Sequence, residues 1–308
     1  MQNQALVTLD KATVLTTIFT IVDDTMKASS AIQNALNRPG IDPKLSDSEV
    51  VTVALYQELI GEPREDHFFR LHSEGLREYF PDLNERSRYN RRKRDLWSVI
   101  LAIRISLLIA LGASETDTAA IDSAPTPTVG YKRNKLATDF AGSSHYGVCS
   151  SKAMKYFGVK LHALVTLTGV ILDFMLSSAA SHDSQLVMEF LEQHQEKLIE
   201  VLGDKAYNGE LLQAMAKEEL GIVLSAPRKA NQEKIGTKEE RACYARWRLV
   251  VERANSQLQE QFHLSKHYAK SKWGLMTRVA AKVTAHTIGI LINRLYGRPS
   301  LALAGLAV

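Results

Sequence analysis

The sequence predicts a mixed α/β protein in which an all-helical first third precedes a sheet flanked by helices. In the first third, apolar residues such as Val14, Leu15 and Ile18 recur at helical spacing, and no strand pattern appears. From Ala119 onward the predicted order is three strands followed by alternating helices and strands, which is typical of a mixed sheet covered by helices. The 308 residues are enough for two domains.

Local signals place the individual elements. Ser46 and Glu49 form a capping-box pattern, which predicts a helix start. The apolar run Val99 to Leu111 is too short to span a bilayer and predicts a buried helix. The other expected elements are a strand at 119–121 broken by Pro125 and Pro127, a loop at 128–155, strands at 156–166, 170–176, 198–202 and 222–224, and helices from 183, at 210–220, 239–262 and 275–295.

Composition narrows the function classes. The net charge is +4 and the pI about 8.9, which permits nucleic-acid binding without requiring it. Cys149 and Cys243 are far apart and show no CxxC spacing, so we expect no disulfide framework and no zinc finger. The N-terminus lacks the basic-then-apolar layout of a signal peptide, and we therefore expect a cytoplasmic protein.

Three acids stand where phosphodiester chemistry needs them. Asp122 closes the first strand, Asp204 follows the strand 198–202, and Glu252 lies mid-helix. Each has an ordinary alternative: a turn aspartate, a helix N-cap and an ion pair with Arg248. Together they offer the carboxylates with which two divalent ions act on both the attacking and the leaving oxygen of a phosphodiester.

The segments around these acids resemble the DDE transposases of bacterial insertion sequences, in particular the insertion sequence 982 family. Further segments extend the resemblance over nearly the whole chain. The first set is IDSAPTP (121–127), YFGVKLH (156–162), LGDKAY (202–207) and RLVVERANSQLQ (248–259); the second is NRPG (37–40), KLSDSEV (44–50), SRYNRRKR (87–94), YGVCSSKAMKYFG (146–158) and AAKVTAHTIGILIN (280–293).

The resemblance implies a ribonuclease H-like catalytic domain, with Asp122 on the first strand, Asp204 after the fourth and Glu252 on a later helix. These three would be catalytic and would bind two Mg²⁺ or Mn²⁺ ions, cutting DNA at the element's ends and joining the freed 3′-OH ends to target DNA. It also implies double-stranded DNA as partner, both as terminal inverted repeats and as target. A homodimer on DNA and a place in the bacterial nucleoid follow, without a membrane and without a nucleotide cofactor.

One signature departs from the family pattern. Relatives place Tyr, Arg, Glu and Lys around the last catalytic helix. Arg248 and Glu252 fit this pattern, Tyr244 is one position off, and Gln259 occupies the lysine position. The role of position 259 therefore stays open.

The expected domain division is 1–112 for a helix-turn-helix-like DNA-binding domain, 113–265 for the catalytic domain, and 266–308 for a basic segment and a C-terminal helix. Six cations with no acid among them crowd 86–94, which favours phosphate contact over a merely solvated helix face. The predicted DNA contacts are Arg86, Arg88, Arg91, Arg92, Lys93, Arg94, Lys160, His162, Lys205, Arg248, Lys266, Lys270 and Lys272.

Three alternatives remain open from the residues. Lys160 and His162 share one strand face, which is polar whether or not it meets a phosphate. His182 and Asp183 favour a helix cap over a catalytic role. At the level of function, the rivals are a ribonuclease H-like nuclease such as a junction resolvase, and a non-catalytic DNA-binding protein derived from a transposase.

Overall fold

The computed structural model describes residues 8–133, 138–149, 153–227 and 237–306. Two compact units are present: Met1–Leu111 together with Leu258–Val308, here the helical unit, and Gly112–Gln257, here the sheet unit. The domain boundaries at 112 and 265 drawn from the sequence stay predictions.

The helical unit confirms the expected absence of strands from the described part of the first third. The capping box of Ser46 and Glu49 begins its third helix, with both reciprocal hydrogen bonds formed. The helices are α1 Lys11–Ala28, α2 Ser30–Leu36, α3 Asp47–Leu59, α4 Glu65–Arg77, α5 Arg86–Asp95, α6 Trp97–Ala110 and α10 Lys272–Leu295.

Helix α10 forms the centre of the helical unit, where it packs against α3 and α6. Its length and composition alone would allow it to cross a membrane, but 83% of its most apolar window is buried inside the protein. Its buried Lys282 is ion-paired with Glu58 of α3. A helix that is apolar nearly all round is expected in the core of a protein, and α10 is such a core helix.

The sheet unit contains a six-stranded mixed sheet with the order β2-β3-β1-β5-β6, and β4 also pairs with β3. Pairings are antiparallel around β3 and parallel along β1, β5 and β6. This mixed α/β arrangement is consistent with a ribonuclease H-like fold. The strands are β1 Thr118–Val129, β2 His145–Cys149, β3 Met154–Thr166, β4 Ile171–Ser178, β5 Glu200–Leu202 and β6 Val223–Ser225; the helices are α7 Asp183–Glu192, α8 Glu210–Leu220 and α9 Lys238–Ser256.

Strand alternation divides the side chains of β1 between the two faces of the sheet. Ile121 belongs to a buried apolar cluster that includes Val187 and Phe190 of α7 and Ala216 of α8. Successive side chains of a strand point to opposite faces, so Asp122 projects from the other face. That is the face on which α9 contacts β1.

Two local expectations are wrong. The strand does not end at Asp122: β1 continues through Pro125 and Pro127 and pairs with β3 over this length. Beyond Ala120 no described strand other than β3 pairs with β1, and prolines are tolerated on such an edge. The region 128–155, expected as a loop, contains strand β2, while 134–137 and 150–152 lie outside the described residues.

Candidate active site

Asp122 is held from two sides. Its Oδ1 accepts a hydrogen bond from the backbone N–H of Ser123 at 2.8 Å, and its Oδ2 accepts one from Nδ2 of Asn255 at 2.9 Å. Asn255 lies on α9, so this second bond joins α9 to β1. Among the described residues, no cation forms an ion pair with Asp122. The carboxylate is therefore fixed in position but not neutralised.

The environment of Asp122 favours its protonated form. The pKa of Asp122 is raised from 3.8 to about 6, mainly by burial and in part by the negative charges of Asp204 and Asp183. The hydrogen bonds from Ser123 and Asn255 act in the opposite direction. A partly buried carboxylate close to a second acid is a frequent feature of functional sites, because a bound cation or a transferred proton satisfies it.

Asp204 reaches the same end of the sheet as Asp122. Leu202, the last residue of β5, pairs in parallel with Ala120 of β1. Asp204 and Asp122 each lie two residues beyond this pair, so both aspartates lie at the same end of the sheet. Asp204 also caps a short 3₁₀ turn, because its Oδ1 accepts a hydrogen bond from the backbone N–H of Ala206 at 2.7 Å. The N-cap alternative and the proximity to Asp122 are thus both observed.

Gly203 and Tyr207 shape the turn that carries Asp204. A Cβ atom on Gly203 would lie 2.6 Å from the Tyr207 ring, so only glycine lets the ring pack against the backbone here. Burial raises the pKa of Tyr207 well above 10, with the charges of Asp183, Asp122 and Asp204 adding to the effect. The tyrosine ring therefore forms one apolar wall beside the acids; Tyr207 ends the segment LGDKAY of the family resemblance, but its packing against Gly203 was not predicted.

Glu252 lies on α9 one turn before Asn255, and residues three apart share a helix face. Its Oε1 accepts a hydrogen bond from Nε of Arg248 at 2.6 Å, in an exposed pair. Ion pairing with Glu252 raises the pKa of Arg248, and the charges of Asp122 and Asp204 add to this. The guanidinium therefore lies within the electrostatic field of all three predicted catalytic acids.

The side chains around Asp122 are of the type that binds a divalent cation, but they do not converge on one metal position. No group of three or more His, Cys, Asp or Glu side chains among the described residues is placed to hold a metal ion. The donors are nevertheless oxygen atoms, which Mg²⁺ prefers. Besides the carboxylates, Oδ1 of Asn255 is buried and has no hydrogen-bond partner. In this structure the carboxylate of Glu252 engages Arg248 instead.

Asp183 has more contacts than a cap requires. Its Oδ1 forms an ion pair with Nζ of Lys160 at 2.8 Å, and its Oδ2 accepts a hydrogen bond from Oγ of Ser123 at 2.7 Å. Lys160 also donates to the backbone oxygen of Ser181 at 2.7 Å. The network supports β1 from the face opposite Asp122, and nothing in the sequence spacing had linked these residues.

The basic helix α5 divides into two groups. Arg92 donates to the Leu45 carbonyl and to Asp47, and Lys93 is buried in an ion pair with Glu65. The remaining cations are exposed: Arg86, Arg88, Arg91 and Arg94.

Other predicted DNA contacts also differ in exposure. His162 is buried, with Nε2 at 2.7 Å from Oγ of Ser177, and Lys160 is held by Asp183. Gln259 lies in the turn Gln257–Gln261 that follows α9 and contacts Ser265. Outside α5, the exposed residues among the predicted DNA contacts are Lys205, Arg248, Lys266, Lys270 and Lys272. DNA contact stays a prediction for all of the predicted contact residues.

Comparison with known proteins identifies one match. A family model described as "Transposase DDE domain" matches residues 113–288, which is more than half of the chain. The match begins just before β1 and includes all three predicted catalytic acids. No curated protein and no solved structure matches the chain.

Proposed function

Because the chain belongs to the transposase DDE domain family, we propose that it cuts DNA at insertion-sequence ends and joins the freed 3′-OH ends to target DNA. The observation that carries this proposal is Asp122, a half-buried carboxylate with no ion-pair partner among the described residues. It lies under the influence of Asp204 and is tied by Asn255 to the helix that carries Glu252. We propose Asp122, Asp204 and Glu252 as the catalytic residues.

The chain's residues prepare a site for cations and for a phosphate. Two Mg²⁺ or Mn²⁺ ions, when bound, would stabilise negative charge on the attacking and leaving oxygens. Asp122 is mainly ionised at pH 7 because its pKa is about 6, so it can offer a carboxylate. Glu252 becomes available when it separates from Arg248, and the released guanidinium can then bind a phosphate oxygen.

We propose the same reaction type for both steps. In the first, a water oxygen bonds to the scissile phosphorus while the bond to the 3′-oxygen breaks, which leaves a 3′-OH. In the second, that 3′-OH bonds to a target phosphorus and displaces another 3′-oxygen. No covalent protein intermediate and no ATP are needed. Asn255 keeps Asp122 in place through both steps, because its hydrogen bond joins α9 to β1.

Three further assignments extend the proposed function. We propose membership of the insertion sequence 982 family, for which the support is the series of motifs along the chain. We also propose a homodimer that binds terminal repeats and target duplex, since two ends must be joined. The expected location is the bacterial cytoplasm, at the nucleoid.

The test is to incubate the purified protein with DNA that carries the element's own ends, with Mg²⁺ and then with EDTA. We expect metal-dependent nicks at the ends and joined product. Asp122→Asn and Glu252→Gln should each reduce both products at least 1,000-fold, whereas the exposed Glu210→Gln in the same unit should retain them. Nicks without joined product would favour the nuclease alternative. Binding without either product would favour the DNA-binding alternative.

A further inference from the structure

One edge of the sheet carries exposed aromatic rings. Tyr146 of β2 makes edge-on contacts with Tyr131 and Phe157, with ring centroids 5.7 and 5.2 Å apart. We call these three residues the aromatic edge. Tyr131 and Tyr146 are 45% and 50% exposed, and Val148, two residues after Tyr146, is 63% exposed. Exposed apolar side chains clustered at a sheet edge mark a surface that binds something.

Strand register places the aromatic edge on the same face of the sheet as Asp122. Asp122 pairs with Ala163 of β3, and side chains at every second position from there to Phe157 share its face. Phe157 in turn pairs directly with Tyr146. The six steps from 163 to 157 span about 20 Å at 3.3 Å per residue. A nucleic-acid strand advances 3.4 Å per nucleotide in a duplex and further when it is unpaired and extended, so this distance corresponds to about six nucleotides or fewer.

The charges around the aromatic edge suit a polyanion. Lys132, Arg133 and Lys155 are exposed beside it. Lys155 pairs with Val148, and so extends the same face. Within the described residues 129–133, 138–149 and 153–158, these three cations are the lysines and arginines, and Asp139 is the acid. Exposed aromatic rings with surrounding cations are the features that bind single-stranded nucleic acid, because bases stack on the rings and phosphates meet the cations.

We propose that the aromatic edge binds unpaired bases of the DNA strand within about six nucleotides of the phosphate that is cut. The inference rests on the proposed function, because it needs DNA at Asp122. Base-paired DNA exposes only the edges of its bases in the grooves. Aromatic rings that project from a sheet can therefore stack on bases only after these have left the duplex. The aromatic edge would then hold the unpaired strand while the acids act on its backbone.

The test compares two DNAs of equal duplex length, one blunt and one with a ten-nucleotide single-stranded thymine tail. Binding of the full chain is measured by fluorescence anisotropy in EDTA, which prevents cleavage. We expect Tyr146→Ala to weaken binding of the tailed DNA about tenfold and to change binding of the blunt duplex less than twofold. Tyr146→Phe should retain the affinity. Tyr131→Ala, which alters a turn rather than a strand, should repeat the loss without disturbing the sheet.

Control variants and labelled DNA test base binding at the aromatic edge separately from the proposed function. Tyr79→Ala removes a comparably exposed ring from the helical unit and should leave both affinities unchanged. A 2-aminopurine placed in turn along the tail should be quenched most within about the first six nucleotides. Equal effects of Tyr146→Ala on both DNAs, or no effect on either, would overturn the inference and leave the proposed function standing. A wild-type chain that binds neither DNA would overturn both.

A second copy of the chain is the competing occupant of this surface. If the wild-type chain is dimeric without DNA and Tyr146→Ala makes it monomeric in analytical ultracentrifugation, the aromatic edge is a subunit interface and the inference is wrong. An unchanged oligomeric state, together with the selective loss of tailed-DNA binding, supports it.

Discussion

The two units differ in how they treat buried charge. In the helical unit, buried Glu58 and Glu65 are paired with buried Lys282 and Lys93, the first pair at 2.6 Å. In the sheet unit, Asp183 is paired with Lys160, but the half-buried Asp122 has no ion-pair partner among the described residues. Burial and the neighbouring aspartates raise the pKa of Asp122. Asp122 is therefore a carboxylate that the protein itself does not neutralise.

The pKa values show the consequence of this difference. Burial raises the pKa of Glu65, but the charge and hydrogen bond of Lys93 outweigh it and the pKa is lowered. Burial raises the pKa of Asp122 to about 6 without such a cation. A bound cation would do for Asp122 what Lys93 does for Glu65. Each paired carboxylate of the helical unit depends on its lysine, whereas the unpaired carboxylate of Asp122 is available to a ligand.

The largest expected effect follows from breaking a buried pair. Lys282→Ala leaves the Glu58 carboxylate buried without a partner and should lower the free energy of unfolding by about 3–5 kcal/mol. Denaturation in guanidinium chloride, monitored by circular dichroism, measures this change. Because burial lowers the pKa of Lys282 against the raising effect of Glu58, the two side chains depend on each other.

Two variants bracket that prediction. Lys27→Ala removes the exposed pair with Asp23 and should cost far less stability than Lys282→Ala, because solvent screens an exposed pair. Replacing both buried partners, as Glu58→Leu with Lys282→Met, should recover most of the loss, because no charge is then left buried. A double variant as unstable as Lys282→Ala would show that packing rather than charge determines the cost.

The sheet unit should respond in the opposite direction. Asp122→Asn removes a charge that has no neutralising partner, so it should stabilise the metal-free protein at pH 7 by roughly 1–3 kcal/mol. The folded pKa of about 6 exceeds the ordinary 3.8, so the folded state binds the proton more tightly than the unfolded state. The contribution of Asp122 to stability is therefore greatest below about pH 4 and is lost as the pH rises to about 6.

Thermal unfolding between pH 4 and pH 7 measures this effect. The wild-type protein should lose stability relative to Asp122→Asn across that interval, and Mg²⁺ should restore it in the wild type alone. If Asp122→Asn is less stable than the wild type at pH 7, its carboxylate is neutralised within the protein and the contrast between the units fails.

Asn255 offers a smaller test. Asn255→Ala removes the hydrogen bond to Asp122 and should cost about 1–2 kcal/mol. Because that bond lowers the pKa of Asp122, its loss should also raise this pKa above about 6, which a ¹³C NMR titration of the aspartate carboxyls detects. Asn208→Ala, which removes an amide donor to the Pro227 carbonyl, should leave the titration unchanged. An unchanged titration in Asn255→Ala would remove Asn255 from the site.

The sequence predicted the elements better than the contacts. Local signals sufficed for the capping box at Ser46 and for β3, because caps and strand alternation depend on neighbouring residues. Strand β2 was not predicted because it lies within 128–155, a stretch rich in Gly, Ser and Lys that resembles a loop, and because it pairs only with the distant β3. Family resemblance placed the three acids in order, but the hydrogen bond of Asn255 to Asp122 joins residues 133 positions apart, which no local pattern reveals.

The smallest change in stability is expected for the exposed arginines of α5. Within this one helix, some cations are exposed and others form ion pairs inside the protein. Arg91→Ala with Arg94→Ala should change the free energy of unfolding by less than about 0.5 kcal/mol, because both side chains are exposed. If they contact phosphates, the salt slope of duplex binding should fall by about 2. Arg92→Ala instead loses its bonds to Asp47 and Leu45 and should destabilise the protein by about 1–2 kcal/mol. An unchanged salt slope in the double variant would leave α5 outside the DNA interface, and its cations would then serve only solvation and the contacts with Asp47 and Glu65.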